Sequence, residues 1–224
     1  MDIFEAIDSR HSVRQYKPVP LSEEHKKALI DKIEEIESIE EITNIVVNNF
    51  DDYPNIMSGF KSFINNQERY SINKFRQQIT NILNVVNNFS EEEFEALNIA
   101  IESTGPWDFE DTVESINRDD YIYFPGVESD YDLGKTYVDY IGDIKEAVGE
   151  EDLADYIDIR EVAQDYYNSE DNNLDLEDYI DIAREEVAEH PEDFLDFFDF
   201  DAFGKDLRLI DGYFIGSTGA IWIQ

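Results

Sequence analysis

Residues 81–224 hold 40 Asp and Glu against 7 Lys and Arg, whereas residues 1–80 hold 14 against 10. A stretch with a net charge of −33 repels itself on compaction and repels nucleic acid. It can fold only if its helices keep carboxylates on one side and bury enough apolar surface on the other to offset that repulsion. The chain has the means, because 42% of its 224 residues are hydrophobic, with 15 Phe and 13 Tyr against 6 Pro and 10 Gly. Aromatic side chains bury the most area per residue. Intrinsic disorder, which follows from high charge with little apolar matter, is therefore not expected.

The periodicity is helical over most of the length. Ser22 suits the N-cap of a helix whose Leu29, Ile30, Ile33 and Ile36 recur at three-and-four spacing. Ser38 with Glu41 opens a second helix, and Pro54 fits the first position of a third over 55–66. Ile72, Phe75, Ile79, Ile82, Leu83 and Val86 make one stripe, and Ser90 with Glu93 forms a capping box ahead of Phe94, Leu97, Ile99 and Ile101. Thr104-Gly-Pro106 stops that helix. A short helix is expected over 108–117, then a strand or extended segment at Tyr121–Phe124 before Pro125-Gly126. From Asp130 to Glu189 helices follow one another, with breaks near Gly149 and across 170–173. Tyr213–Ile215 and Ala220–Ile223 flank Gly216-Ser-Thr-Gly219, a hairpin signal. The expected class is mostly α with a minor β element (α+β). The expected shape is elongated, with several small domains at 1–89, 90–172 and 173–224 and a C-terminal β-hairpin.

Catalytic and metal signals are sparse. The chain has no Cys, which removes thiolate nucleophiles, disulfides and Cys-based zinc sites. Of the three His, His11, His25 and His190, none has a metal-ligand partner at i+4, and His25 and His190 read as ordinary structural residues. Asp199, Asp201, Gly204 and Asp206 imitate part of a calcium loop, but Phe203 and Ile210 stand at the fifth and twelfth positions, where oxygen ligands are needed. Among 54 acids some pair always lies close, so carboxylate proximity says nothing about glycosidase chemistry. No P-loop and no GxGxxG occurs. MDIFEAIDSR lacks the basic start and apolar core of a signal peptide, and no apolar run approaches the roughly 18 residues of a span. A cytoplasmic protein away from membranes is expected, without catalytic residues, resident metal or direct nucleic-acid binding. Asn is frequent between positions 44 and 88, a bias with no functional account.

Arg10-His-Ser-Val-Arg14, followed by Tyr16 and Pro18-Val-Pro20, resembles the start of the nitroreductase family over about residues 1–35. The resemblance implies that Arg10, Ser12 and Arg14 hold the phosphate of FMN, and two guanidinium groups with a hydroxyl suit such a dianion. The glycine-rich flavin segment is not recognisable beyond it. FMN binding by a degenerate nitroreductase-like protein is therefore the alternative to a protein without cofactor.

Phe197-Phe-Asp-Phe-Asp-Ala-Phe-Gly-Lys-Asp-Leu207, preceded by Pro191-Glu and followed by Gly212 and the hairpin, resembles the closing motif of the ArdA antirestriction family. Ser90–Asn98 and Tyr121-Ile-Tyr-Phe-Pro-Gly126 are similar to that family's acidic middle domain, so the likeness spans about 90–224. The resemblance implies a non-catalytic protein carried by conjugative elements. Such a protein imitates bent B-DNA, occupies the DNA-binding cleft of type I restriction-modification enzymes and forms a homodimer. Charge density agrees independently, since 33 negative charges match those on about sixteen base pairs. The acids expected to face the enzyme are Asp119, Asp120, Glu128, Asp130, Asp132, Asp139, Asp143, Glu150, Glu151, Asp152, Asp155, Asp158, Asp165, Glu170 and Asp171. A motif of Phe194, Phe197, Phe198, Phe200, Phe203, Gly204, Lys205, Asp206 and Leu207 serves either a dimer interface or the core. Lys205 stands where the family has Arg, and the family's strand-rich first domain is not recognisable.

Overall fold

The computed structural model describes residues 22–36, 38–50, 52–67, 71–149, 152–169 and 174–224. Its elements are α1 (Glu23–Glu35), α2 (Ile39–Asn48), α3 (Pro54–Asn66), α4 (Ile72–Val86), α5 (Glu91–Thr104), α6 (Phe109–Asn117) and β1 (Tyr121–Pro125). There follow α7 (Asp130–Ile141), α8 (Ile144–Val148), α9 (Leu153–Tyr156), α10 (Ile159–Ser169), α11 (Leu176–Glu189), α12 (Phe200–Leu209), β2 (Phe214–Ile215) and β3 (Gly219–Ile223). Short 3₁₀ turns at Pro106–Asp108 and Pro191–Phe197 precede α6 and α12. The fold is mostly α with one small sheet of strand order β1-β3-β2.

Local signals decide most helix starts. The hydroxyls of Ser22, Ser38, Ser71 and Ser90 each accept from a backbone N–H in the first turn of the helix that follows. At α5 the box is complete, because the Ser90 N–H also donates to Glu93 Oε2 at 2.6 Å. Each such cap contributes about 1 kcal/mol. The C-terminus of α1 is closed from a distance, where Arg76 on α4 donates Nε to Ile33 O at 3.0 Å and Nη2 to Ile36 O. A guanidinium there meets the negative end of the helix dipole.

Contacts divide the chain into two units, Met1–Tyr123 with Ile221–Gln224, and Phe124–Ala220, so the division falls within β1 and β3. The expected boundary between 89 and 90 lies inside the first unit, between α4 and α5. The one between 172 and 173 lies outside the described residues. In the first unit α3 packs on α2, α5 and α6. Its core is an aromatic stack, with Phe50 and Phe60 centroids 4.6 Å apart and Phe60 and Phe109 4.7 Å apart. Gly59 makes room for Phe109, whose ring lies where a Cβ would stand. β1 and β3 run antiparallel, held at one end by Gln224 N–H to Asp120 O at 3.2 Å and at the other by Gly126 N–H to Thr218 O at 2.9 Å. β2 and β3 make the expected hairpin, closed by Gly216 N–H to Gly219 O at 2.8 Å.

Candidate partner-binding surface

Residues 124–220 carry 29 Asp and Glu against 6 Lys and Arg, a net charge of −23, and form one unit. What lets them compact is a close helix crossing. On α7 and α12, Gly134 and Gly204 face each other so closely that a Cβ on Gly204 would collide with Asp130 O and Gly134 N. Backbone touches backbone there, which only glycine permits. Beside the crossing Arg208 donates Nε to Asp130 Oδ1 at 2.8 Å and Nη2 to Asp130 Oδ2 at 3.0 Å. That two-point hydrogen bond, with the guanidinium charge, holds the Asp130 carboxyl below the usual carboxylate range. Lys205, the departure from the resembled motif, is exposed.

Around the crossing the aromatic residues interlock. Phe203 meets Tyr137, Tyr156 and Phe198 at centroid distances of 6.0, 5.2 and 5.7 Å. Phe124 stacks on Tyr213 at 6.0 Å. Tyr156 donates its hydroxyl to Asp206 Oδ2 at 2.8 Å, and burial followed by that bond pushes its pKa up to about 12. Burial likewise raises Tyr137 and Tyr213. Within the motif expected to serve core or interface, Phe194, Phe198, Phe203, Gly204 and Leu207 are buried in this unit, while Phe197, Phe200 and Asp206 are half-buried.

The carboxylates fall into distinct groups. Asp119, Asp120, Glu128, Asp139, Asp152, Asp155 and Asp165 are exposed. Asp119 adopts a φ of +63° in the turn before β1, a conformation Asp tolerates better than most residues. Asp143 and Asp158 are exposed but also cap helices, each accepting backbone N–H groups, for Asp158 from Arg160 at 3.0 Å and Glu161 at 3.1 Å. Asp130 and Asp132 are half-buried, the first tied to Arg208 and the second accepting from Ser129 Oγ at 2.7 Å. These two are committed to the fold of α7. Glu150, Glu151, Glu170 and Asp171 lie outside the described residues, as do Arg10, Ser12 and Arg14 of the FMN alternative.

One open groove of about 590 Å³ runs along a chain crossing at the antiparallel bridge between Ile157 and Phe198. Asp155 on α9, Asp158 in the link to α10 and Glu161 in the first turn of α10 line it on one side, and the segment leading into α12 supplies Asp196 and Asp199. Glu161, Asp196 and Asp199 were not among the acids expected to face the enzyme, nor was the exposed acidic face of α11, which includes Glu177, Asp181 and Glu185. Their signal was the same acid-out periodicity, which is too uniform here to rank positions. Among the described residues no group of His, Cys, Asp and Glu is arranged to hold a metal ion, and no helix is long and apolar enough to cross a membrane.

A family model described as "Putative TM nitroreductase" matches residues 2–78. The likeness seen at the N-terminal turn thus extends through α1, α2 and α3 into the first half of α4. No curated protein and no solved structure matches the chain.

Proposed function

We propose that this protein is a non-catalytic DNA mimic that occupies the DNA-binding cleft of type I restriction-modification enzymes and inhibits them competitively with DNA. One observation carries the reading: 29 carboxylates against 6 cations on a unit whose aromatic core and glycine crossing fix the backbone beneath them. Fixed charges can match a phosphate track, whereas charges on a mobile chain cannot do so without an entropic cost. The ArdA-like motif at 197–207 supports the same reading, and its glycine has a physical purpose at the helix crossing. The Lys and Arg residues that bind DNA phosphates would meet carboxylates instead, and affinity would fall as salt rises. Homodimerisation would use the exposed Leu209 and Ile210, because most of the motif's rings are consumed inside the unit. A cytoplasmic location, where such enzymes act, belongs to the same proposal.

The experiment is DNA cleavage by a type I enzyme with added protein, repeated across salt concentrations and competitor DNA. Inhibition that competitor DNA relieves and salt weakens supports mimicry. Undiminished cleavage in the presence of folded protein removes it.

A second reading draws on the match over 2–78: a degenerate flavoprotein whose Arg10, Ser12 and Arg14 hold the FMN phosphate. Bound FMN would supply redox chemistry. The described helices of the matched stretch bury an apolar core in which Phe50, Phe60 and Phe75 are fully enclosed. A yellow preparation, or FMN uptake lost in Arg14→Ala, favours this reading. A colourless protein that takes up no added FMN eliminates it.

A further inference from the structure

A cleft of about 360 Å³ opens in the first unit between α3, α4 and α6, and neither reading above uses it. Its floor is apolar, with Phe63, Ile82 and Val113 buried there. Amides stand above that floor. Gln67 follows α3, Gln78 and Asn81 lie on α4, and all three line the cleft, which gives part of the amide-rich stretch a place to act. Gln78 donates Nε2 to Gln67 Oε1 at 2.5 Å, while its own Oε1 is buried without a hydrogen-bond partner. A buried acceptor left so is destabilising until a donor reaches it. Glu110, Glu114 and Arg118 line the cleft, and the ion pair of Arg118 with Glu114 at 2.5 Å leaves Glu110 as the excess negative charge there.

The volume lies in the range of small-molecule sites, and neighbouring amides present donors and acceptors side by side. We propose that this cleft binds an uncharged planar heterocycle carrying an N–H beside a C=O, for which free uracil is the probe. The ring lies over Phe63 and Ile82. Its N–H donates to Gln78 Oε1, and its C=O accepts the second Nε2 hydrogen of Gln78, the first staying on Gln67 Oε1. The bond between Gln78 and Gln67 is kept, and Gln78 Oε1 gains the donor it lacks. Phosphorylated relatives are disfavoured by the negative charge of Glu110.

The test is a titration of the ¹⁵N-labelled full chain with uracil to millimolar concentration, read on side-chain amide resonances. Saturable shifts of the Gln67 and Gln78 amides are expected. Gln78→Leu should weaken binding by about tenfold, as expected for losing a paired polar contact. Asn81→Trp, at an exposed rim position, should abolish binding with the far-UV circular dichroism unchanged. 1,3-Dimethyluracil, which lacks the N–H, should give no saturable shift. Absence of saturable shifts with uracil overturns the proposal. So does equal binding of the dimethyl compound, or binding that survives Asn81→Trp. Restriction inhibition plays no part in this assay, so its outcome is separate from that of the mimicry reading.

Discussion

Arg208 reaches both carboxylate oxygens of Asp130 across 78 positions of sequence, fastening the last turn of α12 to the first of α7. Asp130→Asn should lower the melting temperature and change the acid limb of stability. The carboxyl's pKa is depressed in the folded state, so its contribution is fully present above the ordinary Asp value of about 3.9 and is lost as pH falls through the folded value. Wild type and variant should differ at neutral pH and converge in strong acid. A difference that stays constant down to the lowest pH would show that the pair does not titrate with folding.

Gly204→Ala tests the crossing itself. The new methyl group meets backbone on the facing helix, which cannot rotate away. A loss of about 1–3 kcal/mol or more is expected from urea unfolding. Gly142→Ala is the comparison, because its φ of +77° is strained for alanine but nothing stands within 4 Å of the new Cβ. That variant should lose only about 1 kcal/mol.

Self-repulsion should make stability rise with salt. Raising ionic strength from about 0.01 M to 1 M shortens the screening length from about 30 Å to 3 Å. On a unit of net charge −23, relief of repulsion should outweigh the weakening of the half-exposed Asp130–Arg208 pair and the exposed Asp181–Arg184 pair. Differential scanning calorimetry should show the melting temperature climbing with NaCl. A fall would mean that local pairing dominates.

Inhibition should depend on many carboxylates weakly. Exposed charge pairs contribute about 0.2–1 kcal/mol each. Asp165→Asn alone should shift the inhibition constant less than about fivefold. Neutralising Asp155, Asp158, Glu161, Asp196 and Asp199 along the groove together should raise it by about tenfold to several hundredfold.

Tyr156 offers a spectroscopic check. Its hydroxyl, half-buried and bound to Asp206, has its pKa pushed up to about 12. Stability from this group is therefore present below the ordinary tyrosine value of about 10 and lost as pH rises through about 12. Tyrosinate absorbance should show a late-ionising class that loses one member in Tyr156→Phe.

Much of the fold could be read along the chain because its signals are local. Ser90 with Glu93, Pro54 and the glycines flanking Ser217-Thr218 mark their elements within a few residues. Asp175 and Asp178 form a second capping box at α11 that went unnoticed, since acids are so dense there that one more spacing carries no contrast. The Gly134–Gly204 crossing and the Asp130–Arg208 pair were illegible for another reason. Each joins elements about seventy residues apart, and nothing at either position names its partner. Asp130 and Asp132, counted as free charges from sequence, are held by the fold for that reason. The candidate surface was legible as a composition and not as a set of positions.

The first unit takes in Ile221–Gln224, which follow the whole of the second unit along the chain. Phe124–Ala220 therefore lies between the first unit's two stretches of chain, entered and left through two neighbouring antiparallel strands. During synthesis the acidic unit can fold before the first unit is finished. The first unit cannot place β3 until residues 221–224 exist. Because Gly126 and Thr218 are hydrogen-bonded neighbours, the acidic unit's two ends lie together. Such a segment can be gained, lost or exchanged between proteins without rethreading the chain that carries it.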